Sequence, residues 1–372
     1  MKLSIVIVNY KVKFYLDQCL RSVLKAIDVM WASDTFACEG GNLAEVLVVD
    51  NDSRDGSLEY LRGRYPIEYY PYVKFFESHR NLGFAGANNM AIRKAKGEYV
   101  LLLNPDTILG EHVLLQCVGF LDAHPDAGAL GVRMLTDEGI PARESRRGLP
   151  SPMVAMFKIL GFCQRWPRHP LFGRYYMGYL PWDEPCRIEV VSGAFCMLRS
   201  KALSQVGLLD EDFFMYGEDI DLSCRLLKGG WRNYYLPVDI LHYKGESTEK
   251  SSFRYVHVFY EAMLIFFRKH YVGMSMFLSL PIKVAIYLRA ILALGQMLTG
   301  RLRKSLGFFK PHRFCKDHYR LMDADKVSYE QMLAELANYS DGKPKKLAIY
   351  TRAIGKVITH REVMNLEEWD NM

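Results

Sequence analysis

The 372-residue sequence lacks the short motifs that mark several large enzyme classes. It contains no G-x-x-x-x-G-K-[ST] phosphate loop, no G-x-G-x-x-G dinucleotide fingerprint and no G-x-S-x-G nucleophile elbow. The stretch from Asn81 to Asn89 holds two glycines, but it has neither the spacing nor the lysine that these phosphate-binding loops require. These absences disfavour P-loop, dinucleotide-dependent and α/β-hydrolase chemistry.

Closely spaced cysteine pairs are also missing. The chain has 8 cysteines, and no two of them form a C-x-x-C pair. Zinc knuckles and thioredoxin-type redox sites both depend on that spacing. We therefore interpret the cysteines as reduced, mostly structural thiols of a cytoplasmic protein.

The sequence has no apolar run long enough to cross a membrane. The N-terminal run Leu3–Val8 is too short for a signal peptide, and no small-residue cleavage site follows it. Between residues 270 and 300 the longest uncharged run has 13 residues, whereas a spanning helix needs about 20. We expect an unexported, cytoplasmic chain without a transmembrane helix.

Positive charge is concentrated in one C-terminal segment. The whole chain has 48 Lys and Arg against 42 Asp and Glu, a net charge of +6. Residues 268–320 contain 11 of the basic residues and a single acid, Asp317, so the rest of the chain is mildly acidic. This distribution predicts contact between the segment and an anionic partner, although a solvated basic face fits the charge equally well. The mildly acidic remainder of the chain does not favour binding to nucleic acid, which is itself anionic, and we expect no nucleic-acid partner.

The first half of the sequence alternates β-branched apolar runs with amphipathic stretches. This alternation predicts βα units on a mostly parallel sheet. The predicted strands are 3–8, 45–49, 72–76, 98–103 and 129–133, and the predicted helices are 14–27, 57–64, 85–95, 111–123 and 218–228. Residues 136–185 show no period and predict loops. Long helices are predicted after residue 250, which divides the chain into regions 1–250 and 251–372.

Polar residues follow three of the predicted strands at the point where each strand ends. They are Asn9-Tyr10, Asp50-Asn51-Asp52-Ser53 and Asn104-Pro105-Asp106-Thr107. Ligands of open α/β sheets bind beyond the carboxyl ends of the strands, so these residues predict a common site.

Two of these strand ends carry acids with a functional and a structural interpretation. Asp50 and Asp52 suit the base or ribose of a nucleotide, because a carboxylate at the end of a buried strand is costly unless it faces a cleft. Turn formation is the alternative, and we assign Asp55 and Ser57 to capping the next helix. Asp106 is suited to holding Mg²⁺ or Mn²⁺, or it belongs to an ordinary turn.

Another group of acids lies where the helix 218–228 begins. Glu218 or Asp219 could serve as a general base for a hydroxyl group, since flanking aromatic residues suggest a cleft wall. Asp221 precedes Arg225 by four residues and is expected to pair with it. An acidic helix start without chemistry is the alternative. His242, considered alone, is more typical of a packing or surface residue than of a ligand.

Taken together, six segments resemble the family 2 inverting glycosyltransferases, and within that family the bacterial rhamnosyltransferase-like branch. In chain order the segments are SIVIVNY from Ser4, VVDNDSRDG from Val48, NLGFAGANN from Asn81, LLNPDT from Leu102, SGAFCMLR from Ser192 and GEDID from Gly217. The resemblance covers roughly residues 1–250. It implies a GT-A fold, an α/β fold with a mixed, mostly parallel sheet flanked by helices. A Rossmann-like nucleotide-binding half and an acceptor half share this sheet, and the basic helical extension follows.

The resemblance also implies roles for individual residues. Asp106 matches the last acid of the family's D-x-D metal motif, which would hold Mg²⁺ or Mn²⁺. By the same resemblance, His242 is a ligand of this metal ion or of the diphosphate. Asn104 stands where the first acid of that motif is expected, which removes one charge from the metal site. Asp219 is the implied catalytic base, with Glu218 as its neighbour in the catalytic set. The implied donor-binding residues are Asn9, Tyr10, Asp50, Asp52, Asn81, Gly86 and Asn104.

The activity that the resemblance implies is the inverting transfer of one sugar from a nucleotide-diphosphate sugar to a saccharide. Rhamnose or another hexose would be transferred, and the acceptor would be carried on a polyprenyl diphosphate during cell-surface polysaccharide synthesis. No Q-x-x-R-W follows the acidic helix, which favours single addition over processive synthesis. The rival interpretation is an inactive GT-A scaffold or binding module in a polysaccharide assembly complex.

The apolar and basic stretch at residues 270–304 carries two further expectations. Lys283, Arg289 and Arg303 share one arc of a helical wheel whose remainder is apolar. Such a helix fits the surface of an anionic membrane, which would make the protein peripheral. It fits equally well against the catalytic body or against a second copy of the chain in a homo-oligomer.

Overall fold

The computed structural model describes residues 1–33, 43–243, 253–271, 315–338 and 346–372, and five single positions between 284 and 299. The strands are β1 Leu3–Asn9, β2 Ala44–Asn51, β3 Val73–Ser78, β4 Tyr99–Leu103, β5 Thr107–Leu109, β6 Ala127–Leu135, β7 Cys186–Ile188, β8 Phe195–Arg199, β9 Arg232–His242, β10 Tyr319–Asp323, β11 Lys346–Thr351, β12 Lys356–Ile358 and β13 Val363–Asn365. The helices are α1 Lys13–Ala32, α2 Ser57–Arg64, α3 Gly83–Ile92, α4 Val113–Ala123, α5 Pro152–Ile159, α6 Phe162–Arg165, α7 Ser200–Val206, α8 Glu218–Lys228, α9 Phe253–His270, α10 Tyr329–Ala337 and α11 Leu366–Asp370.

A nine-stranded mixed sheet forms the centre of the fold. Its order is β3-β2-β1-β4-β8-β6-β9-β5, and β7 pairs with β9. The first four strands of this order run parallel to one another, as the βα pattern predicted. Strand β8 runs antiparallel to both β4 and β6, so parallel pairing is the rule only in the N-terminal half.

Alternation along the strands builds a core on each face of the sheet. Leu3, Ile5 and Ile7 of β1 point into one cluster, which also contains apolar residues of α1 and α4. Val6, on the other face, joins a second cluster that contains residues of α3, α7 and α8. Because helices cover both faces, all eight residues of β2 are buried.

The predicted elements of the first 250 residues are confirmed with small shifts at their ends. The helices Ser57–Arg64 and Glu218–Lys228 have the predicted bounds, whereas α1 continues to Ala32, five residues further than predicted. The predicted loops at 136–185 contain α5 and α6 and two single turns of 3₁₀ helix.

The C-terminal region was predicted to be helical, but residues 315–372 contain strands as well as helices. Strands β10 to β13 form a separate four-stranded sheet there, with α10 and α11 beside it. Three of these strands are only three to five residues long, and they have no alternating pattern long enough to be recognised. The helix expected across residues 283–304 lies almost entirely outside the described residues.

The C-terminal sheet packs on the β5–β9 edge of the nine-stranded sheet. We call the part of the chain built around that larger sheet the body. One apolar cluster contains Ile108, Leu241 and Tyr243 of the body together with residues of α10 and β11. The Glu111 carboxylate accepts the backbone N–H groups of Tyr329 and Glu330 at 2.8 Å each, which satisfies the first turn of α10. The body and the C-terminal sheet therefore share a core.

Within the part of the chain that the structure describes, no helix combines the length and the apolar character that crossing a bilayer requires.

Candidate active site

The ends of β1 and β2 bring two predicted donor-binding residues into contact. Asn9 and Asp50 are partners in the parallel register. Asn9 Nδ2 donates to Asp50 Oδ1 at 2.6 Å and to Ser53 Oγ at 3.0 Å. The second oxygen of Asp50 accepts the Ser53 N–H at 3.0 Å. Asp50 therefore holds the two strand ends together, which is a structural role in addition to the predicted one.

One atom of this network has no partner within the described residues. Asn9 Oδ1 is buried and accepts no hydrogen bond there. A buried amide oxygen without a donor is costly, so it is a natural acceptor for a ligand N–H or O–H group.

The turn after β2 has an unusual backbone. Asp52 and Arg54 have positive φ angles of 65° and 53°, which few residues other than glycine adopt. Arg54 Nε donates to Asp52 Oδ1 at 2.7 Å. Asp55 accepts the backbone N–H of Ser57 at 3.0 Å, but the N-cap of α2 is Gly56, which has no side chain to cap the helix, so the predicted capping by Ser57 is wrong.

The turn before α3 explains the amide-rich segment that begins at Asn81. Asn81 Oδ1 accepts from Asn51 Nδ2 at 3.1 Å and from the Gly83 N–H at 2.9 Å. Asn51 belongs to one of the three predicted strand ends, although it is not among the donor-binding residues that the resemblance implied. Gly86 packs closely on the preceding turn, where an added Cβ would lie 3.1 Å from the Leu82 Cβ. Donor binding by Asn81 and Gly86 stays a prediction.

Asn104, Asp106 and His242 come together beyond the ends of β4 and β9. His242 is paired with Thr107 in the β5–β9 ladder. Its Nε2 lies 3.3 Å from Asp106 Oδ1 and 3.4 Å from Asn104 Nδ2. The predicted metal pair is therefore assembled, and the side chain that replaces the first acid of the D-x-D motif lies beside it.

This arrangement fits a divalent cation that is shared with a diphosphate. In the described part of the chain, no group of three or more His, Cys, Asp and Glu side chains could hold a metal ion. Mg²⁺ and Mn²⁺ commonly take one or two protein ligands, with the remaining positions filled by phosphate oxygens and water. A carboxylate oxygen and an imidazole nitrogen match that pattern better than they match a closed structural site.

Backbone hydrogen bonds connect the acidic end of α8 to the segment that carries Asn104. The Asn104 N–H donates to the Ala194 carbonyl at 3.0 Å. The N–H of Gly193, the residue before Ala194, donates to Asp219 Oδ2 at 3.2 Å. Arg147 donates to the same carboxylate oxygen. Asp219 is thus held in a fixed position at the helix N-terminus, where the helix dipole favours a negative charge.

Glu218 has a different environment from Asp219. It is buried, and its Oε2 has no hydrogen-bond partner among the described residues. Burial, followed by the negative charge of Asp219, raises the pKa of Glu218 to about 8. The protonated form of Glu218 is therefore favoured relative to an ordinary glutamate.

Asp221 has a structural role, as its spacing from Arg225 predicted. Arg225 Nε donates to Asp221 Oδ2 at 2.7 Å, and His270 Nε2 lies 2.6 Å from Asp221 Oδ1. Burial opposes ionisation of Asp221, but the His270 hydrogen bond and the Arg225 charge outweigh it and lower the pKa. The hydrogen bond to Asp221, followed by the contact with Cys224, raises the pKa of His270 to about 9. This network holds α9 against α8.

Arg147 and Lys158 are site residues that the sequence did not reveal. Lys158 Nζ lies 3.6 Å from the centre of the Tyr175 ring and pairs with no carboxylate in the described regions. Burial, followed by the charge of Arg147, lowers the pKa of Lys158 to about 7. Both residues belong to the stretch 136–185, which has no period from which their positions could be predicted.

Comparisons with known proteins show the family of this chain. The profile described as glycosyl transferase family 2 matches residues 4–207. The chain is 31% identical over 242 residues to an N-acetylglucosaminyl-diphospho-decaprenol L-rhamnosyltransferase of Mycobacterium tuberculosis, covering 61% of this chain and 76% of that protein. It is 27% identical over 229 residues to the low-salt glycan biosynthesis hexosyltransferase Agl10 of Haloferax volcanii, covering 60% and 61% respectively.

A solved structure matches the fold. The structure of GalNAc-T7 with UDP, GalNAc and Mn²⁺ superimposes with a TM-score of 0.50 at 19% identity, covering 69% of this chain and 47% of that one. The described architecture is the GT-A fold that the sequence motifs implied. The chain belongs to glycosyl transferase family 2.

Proposed function

We propose that this protein is an inverting glycosyltransferase that moves one sugar from a nucleotide-diphosphate sugar to a lipid-linked saccharide. The observation that carries the proposal is the position of Asp219. Its carboxylate is fixed by Gly193 and Arg147, and a short backbone path connects it to Asn104 beside the Asp106–His242 pair. A fixed base and a diphosphate site are what a single displacement at a sugar requires.

The reaction that we propose is one displacement. Asp219 takes the proton of an acceptor hydroxyl group while the hydroxyl oxygen forms a bond to the anomeric carbon of the donor sugar. The bond between that carbon and the diphosphate oxygen breaks, and the nucleoside diphosphate leaves with the electron pair. Because attack and departure occur on opposite faces, the anomeric configuration inverts.

The other residues bind and orient. In this proposal Asn9 and Asp50, which are hydrogen-bonded at the ends of β1 and β2, contact the nucleoside together with Tyr10 and Asp52. Asp106 and His242, with Asn104, would hold Mg²⁺ or Mn²⁺, which supplies positive charge to the leaving diphosphate when bound. Arg147 orients the base through its ion pair with Asp219.

The class of donor and acceptor rests on the relatives. The Mycobacterium tuberculosis relative is named for transfer of L-rhamnose to N-acetylglucosaminyl-diphospho-decaprenol. We propose a hexose donor, with rhamnose as the first candidate, and a polyprenyl-diphosphate saccharide as acceptor in cell-surface polysaccharide synthesis. The inactive scaffold is the second candidate, and the assembled site argues against it, because a binding module needs no fixed base beside a metal pair.

A donor panel tests this proposal. Thermal unfolding would be followed with UDP, dTDP, GDP and their common sugar conjugates, each with and without Mn²⁺. Selective binding to the folded state raises the melting temperature by mass action, so we expect stabilisation by one nucleotide family that increases with Mn²⁺. The sugar conjugate that stabilises would then be assayed for transfer to N-acetylglucosaminyl-diphosphopolyprenol. Donor binding without transfer to any saccharide would favour the scaffold.

A further inference from the structure

The segment from α5 to residue 171 exposes a set of large apolar side chains. On α5 and its C-cap, three of them recur at intervals of three and four residues and so lie on one side of the helix. The full set is between 45% and 58% exposed. We call it the α5–α6 surface, and its members are Met153, Met156, Leu160, Trp166 and Leu171.

An aromatic cluster beneath this surface joins its parts. The ring centres of Phe157 and Phe162 are 5.8 Å apart, and those of Phe157 and Phe172 are 4.9 Å apart. Phe162 also contacts Trp166, with ring centres 5.6 Å apart. The exposed residues therefore belong to one packed unit, and they are not isolated side chains of separate loops.

The charge around the α5–α6 surface has one sign. Residues 145–182 contain six Lys and Arg and no Asp or Glu. Arg165 and Arg168 are exposed, and neither forms an ion pair with any residue in the described parts of the chain. Apolar side chains bordered by unpaired cations complement an anionic lipid surface, and Trp166 is of the residue type enriched at such interfaces.

The α5–α6 surface belongs to a helix that packs near the proposed base. Ala155 of α5 packs in one cluster with Ile220 of α8, the residue that follows the proposed base. The inward face of α5 carries Lys158, whose charge is close enough to be influenced by Arg147. A bilayer that meets the outer face of α5 would therefore lie close to Asp219.

We propose that the α5–α6 surface docks the protein on an anionic lipid bilayer. This surface is distinct from the basic segment 268–320, and it would bring the site to the membrane in which a lipid-linked acceptor resides. The advantage of that position rests on the proposed function, whereas the docking itself does not. Vesicle binding can be measured without a donor, an acceptor or turnover, so failure of one proposal is distinguishable from failure of the other.

Sedimentation of the full-length protein with vesicles tests the docking. The vesicles would be phosphatidylglycerol with phosphatidylethanolamine, and phosphatidylcholine alone as the neutral comparison. We expect binding to the anionic vesicles, a loss of tenfold or more in affinity for Met156→Gln/Leu160→Gln, and roughly a fivefold loss for each of Arg165→Gln and Arg168→Gln. Melting temperature and nucleotide stabilisation should match those of the unaltered protein.

Matched controls use exposed residues elsewhere. Ile67→Gln/Tyr69→Gln removes two more strongly exposed apolar side chains, and Arg62→Gln/Lys201→Gln removes two exposed cations. Neither should change vesicle affinity. Brominated lipids should quench tryptophan fluorescence in the unaltered protein and much less in Trp166→Phe.

Three outcomes would overturn the proposal. The first is absence of vesicle binding by the unaltered protein, and the second is equal binding by the Met156→Gln/Leu160→Gln variant. The third is a dimer in solution that this variant converts to a monomer, which would assign the surface to a second copy of the chain.

Discussion

The carboxylates of Asp219 and Glu218 are neighbours in sequence but have opposite environments. Asp219 Oδ2 accepts from the Gly193 N–H at 3.2 Å and from Arg147, whereas Glu218 is buried with an oxygen that has no partner among the described residues. This difference assigns the proposed proton transfer to Asp219. Glu218, whose protonated form is favoured by burial, would contribute to packing and to the local field.

Glu218→Gln should change how stability depends on pH. The folded pKa of about 8 lies above the ordinary 4.5, so the folded state binds more protons between these values. The contribution of Glu218 is fully present below pH 4.5 and is lost as the pH rises through 8. Relative to the unaltered protein, the glutamine variant should gain on the order of a few kcal/mol between pH 5 and pH 9. Urea unfolding across that range would measure the free energy of unfolding of both proteins. A difference between them that does not change with pH would contradict the argument from the burial of Glu218.

His242→Ala and Asp106→Asn should remove most of the metal-dependent stabilisation by the nucleotide donor. Each substitution deletes one of the two proposed protein ligands, His242 Nε2 and Asp106 Oδ1, which lie 3.3 Å apart. His257→Ala, at an exposed histidine on α9, is the matched control and should behave like the unaltered protein. The measurement is the change in melting temperature when Mn²⁺ is added to saturating nucleotide. If Mn²⁺ raised the melting temperature of both variants as much as that of the unaltered protein, the metal ion would have to bind at other residues.

Asn104→Asp should strengthen Mn²⁺ binding. It restores a carboxylate at the position where the D-x-D motif has its first acid, close to His242. Hard cations gain affinity with the number of charged oxygen ligands. Titration calorimetry with Mn²⁺ in the presence of the nucleotide would show a lower dissociation constant, and an unchanged value would show that this side chain does not contact the ion.

His270→Gln should destabilise the contact between α8 and α9, and the effect should depend on pH. The folded pKa of about 9 exceeds the ordinary 6.5, so the stability from the protonated imidazole is present below pH 6.5 and is lost as the pH rises through 9. We expect a loss of about 1–3 kcal/mol at pH 6.5 that shrinks by pH 10. Urea unfolding at the two pH values measures it, with His257→Gln as the control. A loss independent of pH would assign His270 to packing alone.

Gly83→Ala should disturb the loop that precedes α8. Gly83 has a φ of +71°, and an added Cβ would lie 2.3 Å from the Phe214 carbonyl oxygen, which accepts the Phe84 N–H. We expect a loss of about 1–3 kcal/mol and reduced transfer, since that loop leads into Glu218 and Asp219. Gly63→Ala in α2 meets nothing within 4 Å and should stabilise slightly. Equal unfolding free energies for the two variants would contradict this account.

The sequence predicted the parts of the fold that repeat a strong local pattern. Apolar runs and amphipathic stretches located β1 to β4 and most of the helices of the body, and the strand ends located Asn9, Asp50 and Asp106. Parallel register then brings Asn9 and Asp50 together, which is a consequence of topology that could be anticipated.

The remaining features depend on long-range contacts. Arg147 and Lys158 lie in a stretch without a period, and their roles follow from a loop that folds back on α8, 72 residues away from Arg147 in the sequence. The short strands β10 to β13 are stabilised by packing on Ile108 and Leu241. The division of roles between Glu218 and Asp219 depends on burial, which the acidic sequence GEDID does not encode locally.

The most direct test of the central claim compares Asp219→Asn with the unaltered protein in sugar transfer to a polyprenyl-diphosphate saccharide. The account predicts that transfer falls by at least a thousandfold, while donor stabilisation and the unfolding transition are retained and Glu218→Gln keeps substantial turnover. Turnover within tenfold of the unaltered protein in Asp219→Asn, together with its loss in Glu218→Gln, would contradict the account and assign the base to Glu218.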